Sequence, residues 1–257
     1  MLESLSFDSF LHSSLSLVDT LVLVAASFLG SLVTAALGVG GGAFLIVVMA
    51  EFLSPVVLIP VHGMVQMASN GGRAWLTRDK IDKELVMAFL LGGGVAAVVG
   101  SLGLQVVSSD IIHWCIAIFI LYNCWGKIPD VGLSQHFGGR VGGGFVTTIA
   151  TLFAGATGPL VASWLRTKDM ERFYYTANFS TCMTMQHALK ILVFSFAGFS
   201  FSEWFGLLFL MIVSGYLGTK VGLKVLGHLP DKQMKMLFKW VLTLLAGRLI
   251  YRLLLVE

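Results

Sequence analysis

The 257 residues are 56% hydrophobic and only 12% charged, with a mean hydropathy of +0.86, which lies outside the range of soluble domains. A formal net charge of +3, with basic and acidic residues interleaved, excludes a nucleic-acid surface. Cys115, Cys124 and Cys182 are odd in number and lack CxxC or Cys/His spacing, so no disulfide framework, metal centre or cofactor is expected.

The segment from Met1 to Asp19 carries Glu3, Asp8 and Asp19 and no Lys or Arg ahead of its apolar run, so it reads as retained rather than cleaved. An apolar stretch over 18–53 follows, broken at Gly38-Val39-Gly40-Gly41-Gly42. Spans are expected at 55–78, 84–107 and 110–127, each near the roughly 20 apolar residues that cross a bilayer core. A second broken stretch, 140–166, is interrupted at Gly155-Ala156-Thr157-Gly158-Pro159, and spans at 172–197, 203–225 and 233–256 complete the chain. An arm of about 12 residues rises only about 18 Å. The segment 140–166 therefore reads as a re-entrant hairpin, its tip near mid-membrane, where non-helical backbone must be buried in protein or line a cavity.

Counting each broken stretch as a hairpin gathers Arg78, Lys80, Lys83, Lys127, Arg140, Arg166, Lys168, Arg172, Lys220, Lys224, Lys232 and Lys235 on one side. Only Arg248 and Arg252 approach the other. The basic side is cytoplasmic by the positive-inside rule, with both termini outside. Trp75, Trp114, Trp164, Trp204 and Trp240 lie near span ends, as an interfacial aromatic belt requires.

A shift of 117 residues places Gly38 on Gly155, Gly41 on Gly158, Asn70 on His187 and Arg73 on Lys190. The same order, hairpin then three spans, recurs in each half, and an odd number of crossings makes the second half enter from the opposite side. The expected fold is an all-α membrane protein of two inverted repeats, 1–127 and 128–257, which together form one transmembrane domain. Each repeat is a broken or re-entrant helical hairpin plus three transmembrane helices.

His62, Gln66 and Asn70 recur at i, i+4, with Arg73 three further on, so they share one helix face. Ser180, Thr184, His187 and Lys190 repeat the pattern, flanked by Asn178 and Gln186. Each has a structural alternative. His62 could be interfacial, Gln66 and Asn70 could bond across helices, and Arg73 could snorkel to the cytoplasmic end. His187 and Lys190 lie deeper, and ionisable groups at depth mark functional sites. Glu51, at the end of the first broken stretch, reads as a solvated boundary residue. Cations, amides and glycine NH groups without an acid suit an anion. The candidate substrate-binding set is Gly41, Gly42, His62, Gln66, Asn70, Arg73, Thr157, Gly158, Asn178, Gln186, His187 and Lys190, with no catalytic group and no metal ligand.

The segments Gly38-Val-Gly-Gly-Gly42, Pro60-Val-His-Gly-Met-Val-Gln-Met-Ala-Ser-Asn-Gly-Gly-Arg73, Lys80-Ile-Asp82, Gly155-Ala-Thr-Gly-Pro159 and Gln186-His-Ala-Leu-Lys190 resemble the TauE/SafE sulfite exporter family, also called the 4-toluene sulfonate uptake permease family. The resemblance implies a multi-pass transporter of the bacterial inner membrane that carries small sulfur-containing anions, with sulfite or an organosulfonate as the leading substrate. Many relatives carry an Asn-Lys pair where this chain has Pro60-Val61. A proton, loaded on His187 or His62, is favoured over sodium as the coupling ion. Assembly as a homodimer is allowed. The competing readings are an anion channel and an intramembrane hydrolase with a Thr157–His187 dyad; the latter is disfavoured because threonine is an uncommon nucleophile and HExxH is absent.

Overall fold

Residues 14–104, 107–126, 133–165, 170–225 and 231–255 are described by the computed structural model, and among them every regular element is helical. The ten α-helices are α1 (Leu17–Leu37), α2 (Gly41–Met49), α3 (Pro55–Leu76), α4 (Lys83–Leu104), α5 (Ser109–Trp125), α6 (Phe137–Ala154), α7 (Gly158–Leu165), α8 (Arg172–Phe196), α9 (Phe205–Val225) and α10 (Asp231–Leu255). The six expected spans match α3, α4, α5, α8, α9 and α10 to within three residues at each end. Helix α1 starts at a capping box, in which Ser16 Oγ accepts from the Asp19 amide and Asp19 accepts from the Ser16 amide. Helix α8 starts where the Glu171 carboxylate accepts from the amides of Phe173 and Tyr174.

The two breaks are left-handed turns. Gly38 (φ 87°) and Gly155 (φ 74°) adopt a conformation that a Cβ would disfavour, and each ends the helix before it. Their arms are unequal. Helix α6 has 18 residues, about 27 Å, longer than the expected arm of about 12 residues, although it is not among the helices long and apolar enough to cross a membrane. Helix α7 has only 8 residues. The first break divides likewise, into a 21-residue α1 and a 9-residue α2.

Two ends of the bundle are defined by contacts. At one, Pro55, Val107, Ser109, Ala197 and Ser200 line a cleft of about 480 Å³, and nearby Glu51 pairs with Arg248 and Arg252. At the other, the amide of Asn178 donates to the Lys80 carbonyl and Arg140 pairs with Glu84. Ser134 also donates to the Leu165 carbonyl, so α7 finishes at the end where α6 begins. Helix α2 finishes at Met49, two residues before Glu51 and so at the opposite end.

The most extensive helix contacts join α1 to α9, α4 to α6 and α3 to α8. The first two are parallel pairs held close by glycine. A Cβ on Gly218 or Gly144 would collide with the carbonyl of Phe28 or Phe89 respectively, the small-residue contact that lets membrane helices approach. Helices α1, α4 and α9 are long and apolar enough to cross a membrane, and α4 presents Met87, Leu91, Val95, Val98 and Leu102 outward. Helices α3 and α8 fall short of that hydropathy because each carries a polar face toward the other.

Two residues of the expected aromatic belt are turned inward. Trp164 is buried, donates to the Gly139 carbonyl at 2.9 Å and lies 5.1 Å from the Phe89 ring. Trp204 is also buried, whereas Trp75 and Trp240 are exposed. Lys127, Arg166 and Lys168 lie outside the described residues.

Candidate functional site

The tips of the two breaks meet at the polar faces of α3 and α8. A Cβ added at Gly158 of the second break would stand 3.7 Å from Val39 of the first, and both residues line a cavity of about 20 Å³ shared with Gly42, His62, Gln66, Asn70, Arg73 and His187. Among the described residues none of its lining groups is acidic. The first turns of α2 and α7 face it through Gly42 and Gly158, so two helix amino termini bring amides that have no intrahelical acceptor, and the positive end of a helix dipole, to one place.

The side chains form a partly satisfied network. His62 Nε2 lies 2.9 Å from the Gly42 carbonyl, which can only accept, so this nitrogen donates. In a neutral ring Nδ1 is then a bare acceptor, and it has no partner. Asn70 donates to the Gln66 carbonyl at 2.8 Å and accepts from Arg73 at 2.7 Å. Arg73 is thus turned into the bundle, only 7% exposed, rather than snorkelling. Its Nε is unpaired, as are Gln186 Nε2 and both ring nitrogens of His187. The rings of His62 and His187 meet edge to face at 5.9 Å.

Buried polar atoms are nearly always paired, and an orphan costs about 1–3 kcal/mol. Several orphans around one cavity make it a candidate ligand site. Positive or neutral donors without carboxylates select an anion.

Of the expected site residues, Gly42, His62, Gln66, Asn70, Arg73, Gly158 and His187 line the cavity. Gly41 lies just behind it, pressed against the Gly30 backbone of α1. Thr157 and Gln186 join each other, the hydroxyl donating to Gln186 Oε1 at 2.9 Å. The hydroxyl thus points to an amide, and the Thr157–His187 dyad of the hydrolase reading is not formed. Asn178 is placed elsewhere. It clamps the α3–α4 loop, accepting from the Asp82 amide at 2.8 Å and donating to the carbonyls of Lys80 and Tyr174. Lys190 directs its ammonium to the Gly155 carbonyl at 2.9 Å.

Phe179 and Met183 also line the cavity and were not anticipated. At the 117-residue offset they correspond to His62 and Gln66. One half therefore supplies the polar wall and the other an apolar one, a distinction invisible to a search for polar residues alone. Thr34 of α1 is a further lining residue whose hydroxyl is satisfied by Gly30, and its apolar surroundings hide it in the sequence.

Apolar helices of crossing length around a buried, donor-lined cavity define an integral membrane protein. The model of the family Sulfite exporter TauE/SafE matches residues 23–249, and the chain belongs to that family. It is a membrane protein of the sulfite-exporter type. No curated protein and no solved structure matches.

Proposed function

We propose that the chain is a secondary transporter of small sulfur-containing oxyanions, sulfite or an organosulfonate foremost, working as an exporter in the bacterial inner membrane. The observation that carries this reading is the convergence of unpaired buried groups of His62, Arg73 and His187 on the cavity at the junction of two helix breaks, with no acid among the described lining residues. Arg73 supplies the balancing charge, and the amides of α2 and α7 supply directional donors. At about 20 Å³ the cavity holds about one water, so an anion enters as the tips part, which is the alternating movement of a transporter rather than an open pore.

The inverted-repeat organisation is supported by the pairing of helices. At the 117-residue offset α1 corresponds to α6 and α9 to α4, so the contacts of α1 with α9 and of α4 with α6 are counterparts, while α3 and α8 exchange places. A proton is the coupling ion in this reading. His62 Nδ1 is a bare acceptor within the anion site, and its protonation creates both a donor and a charge for the anion.

Titration of purified protein with sulfite, thiosulfate, sulfate and taurine tests the site. Arg73→Ala should weaken binding of the preferred anion by about 30-fold or more, the loss typical of a truncated buried charge partner, and Arg73→Lys should retain part of it. Unchanged affinity in Arg73→Ala would refute the assignment.

A further inference from the structure

Lys190 is fully buried on α8, and its ammonium is engaged by a backbone carbonyl of the second break without itself lining the anion cavity. Its arm passes over Gly63 of α3, where an added Cβ would stand 2.8 Å from Lys190 Cε. The ammonium ends 2.9 Å from the Gly155 carbonyl, in the left-handed turn that closes α6. The same oxygen accepts from Thr151 Oγ1 at 3.2 Å. Gly155 itself packs against Ile46 and Ile59 of the first half. One side chain thereby links α8, α3 and the second break. Among the described residues, the carboxylates that form ion pairs are Glu84 and Glu51, at the two ends of the bundle.

A carbonyl at the carboxyl end of an interrupted helix carries the negative end of the helix dipole. Unwound carbonyls of this kind hold coupling sodium ions in transporters with broken helices. Here the oxygen is engaged by an ammonium that cannot leave. We propose that Lys190 is a tethered cation that replaces a coupling sodium ion at the second helix break. The break is then stabilised permanently, without sodium. The idea goes beyond the transport reading, and its readout does not depend on which anion is carried.

The test measures thermal unfolding of the purified full-length protein in choline chloride, sodium chloride or methylammonium chloride, at one pH and ionic strength. The wild-type Tm is expected to be the same in all three. Lys190→Ala frees the carbonyl and leaves space beside it, so its Tm should fall in choline and rise by about 2–4 °C in sodium or methylammonium. A sodium response in the wild type, or a Lys190→Ala variant indifferent to all three cations, would overturn the proposal. If Lys190→Ala does not accumulate folded, Gly63→Ala takes its place, since it crowds Lys190 Cε and keeps every charge. A sodium-dependent rise in its Tm supports the tether and no response overturns it. Failure of anion binding with the cation responses intact would count against the transport reading alone.

Discussion

Two buried imidazoles and one carboxylate at the bundle end carry the residue-scale predictions. His62 and His187 share the cavity with Arg73, and imidazole is a side chain that can take up and release a proton. If proton uptake there drives anion movement, transport into proteoliposomes should accelerate with an imposed proton gradient, and His187→Gln and His62→Gln should each reduce that acceleration. Acceleration by sodium at constant pH, or pH dependence untouched in both variants, would remove the imidazoles from that role. Asp82 acts differently. Burial raises its carboxyl pKa, but the Leu85 amide, the Tyr174 hydroxyl, Arg140 and the Glu84 amide outweigh this and hold it below the ordinary carboxylate value. A depressed pKa stabilises the fold above the unfolded value of about 3.9, and that stabilisation is lost as pH falls through the folded value. Asp82 Oδ1 accepts from the Leu85 amide at 3.0 Å, so Asp82→Ala removes a cap of α4. It should cost about 1 kcal/mol at neutral pH. The gap from wild type should close below about pH 4, as read by thermal unfolding across a pH series.

At the scale of elements, the sequence reveals spans and breaks because hydropathy and glycine clusters are local. Helices form at all six expected spans, α4 and α9 among them long and apolar enough to cross a membrane, and both breaks fall at the expected glycines. What periodicity does not carry is partner choice. Glu51 reads as a solvated boundary residue, yet it pairs with Arg248 and Arg252 some two hundred positions away, and Lys190 serves a carbonyl that no spacing along α8 could indicate. Asn178 shares α8 with His187 but turns to a loop, because a helix face says which residues align and not what stands opposite them. The glycines divide in the same way. Gly144 meets the Phe89 backbone, whereas Gly94 faces open space. Gly144→Ala should therefore destabilise by about 1–3 kcal/mol through overpacking of α4 against α6, and Gly94→Ala should be neutral or stabilise by up to about 1 kcal/mol through helix propensity. Equal effects on Tm would contradict the close-packed α4–α6 seam.

For the whole molecule, the two ends differ in charge. Arg78, Lys80, Lys83 and Arg140 gather at the end where Asn178 holds the α3–α4 loop, with only Glu84 engaging Arg140 in an ion pair among the described residues. At the other end Arg248 and Arg252 are the apparent exceptions to the charge bias. Glu51 pairs with both, which lowers the net charge they present. Local pairing of this kind leaves the positive-inside asymmetry intact, since the rule weighs the basic residues of short loops, and these two lie within α10. The orientation we propose from that asymmetry puts Lys80 in the cytoplasm and Ser108 and Ser200 outside. Helix α3 crosses between them, from Pro55 in the cleft shared with Ser200 to Leu76 beside the Arg78–Lys80 turn. In a background with the native cysteines replaced, Ser108→Cys and Ser200→Cys should react with a membrane-impermeant maleimide added to intact cells, and Lys80→Cys should react only after the membrane is opened. Labelling of Lys80→Cys from outside, with Ser108→Cys and Ser200→Cys protected, would invert the molecule and reverse the direction in which a proton gradient could drive the anion.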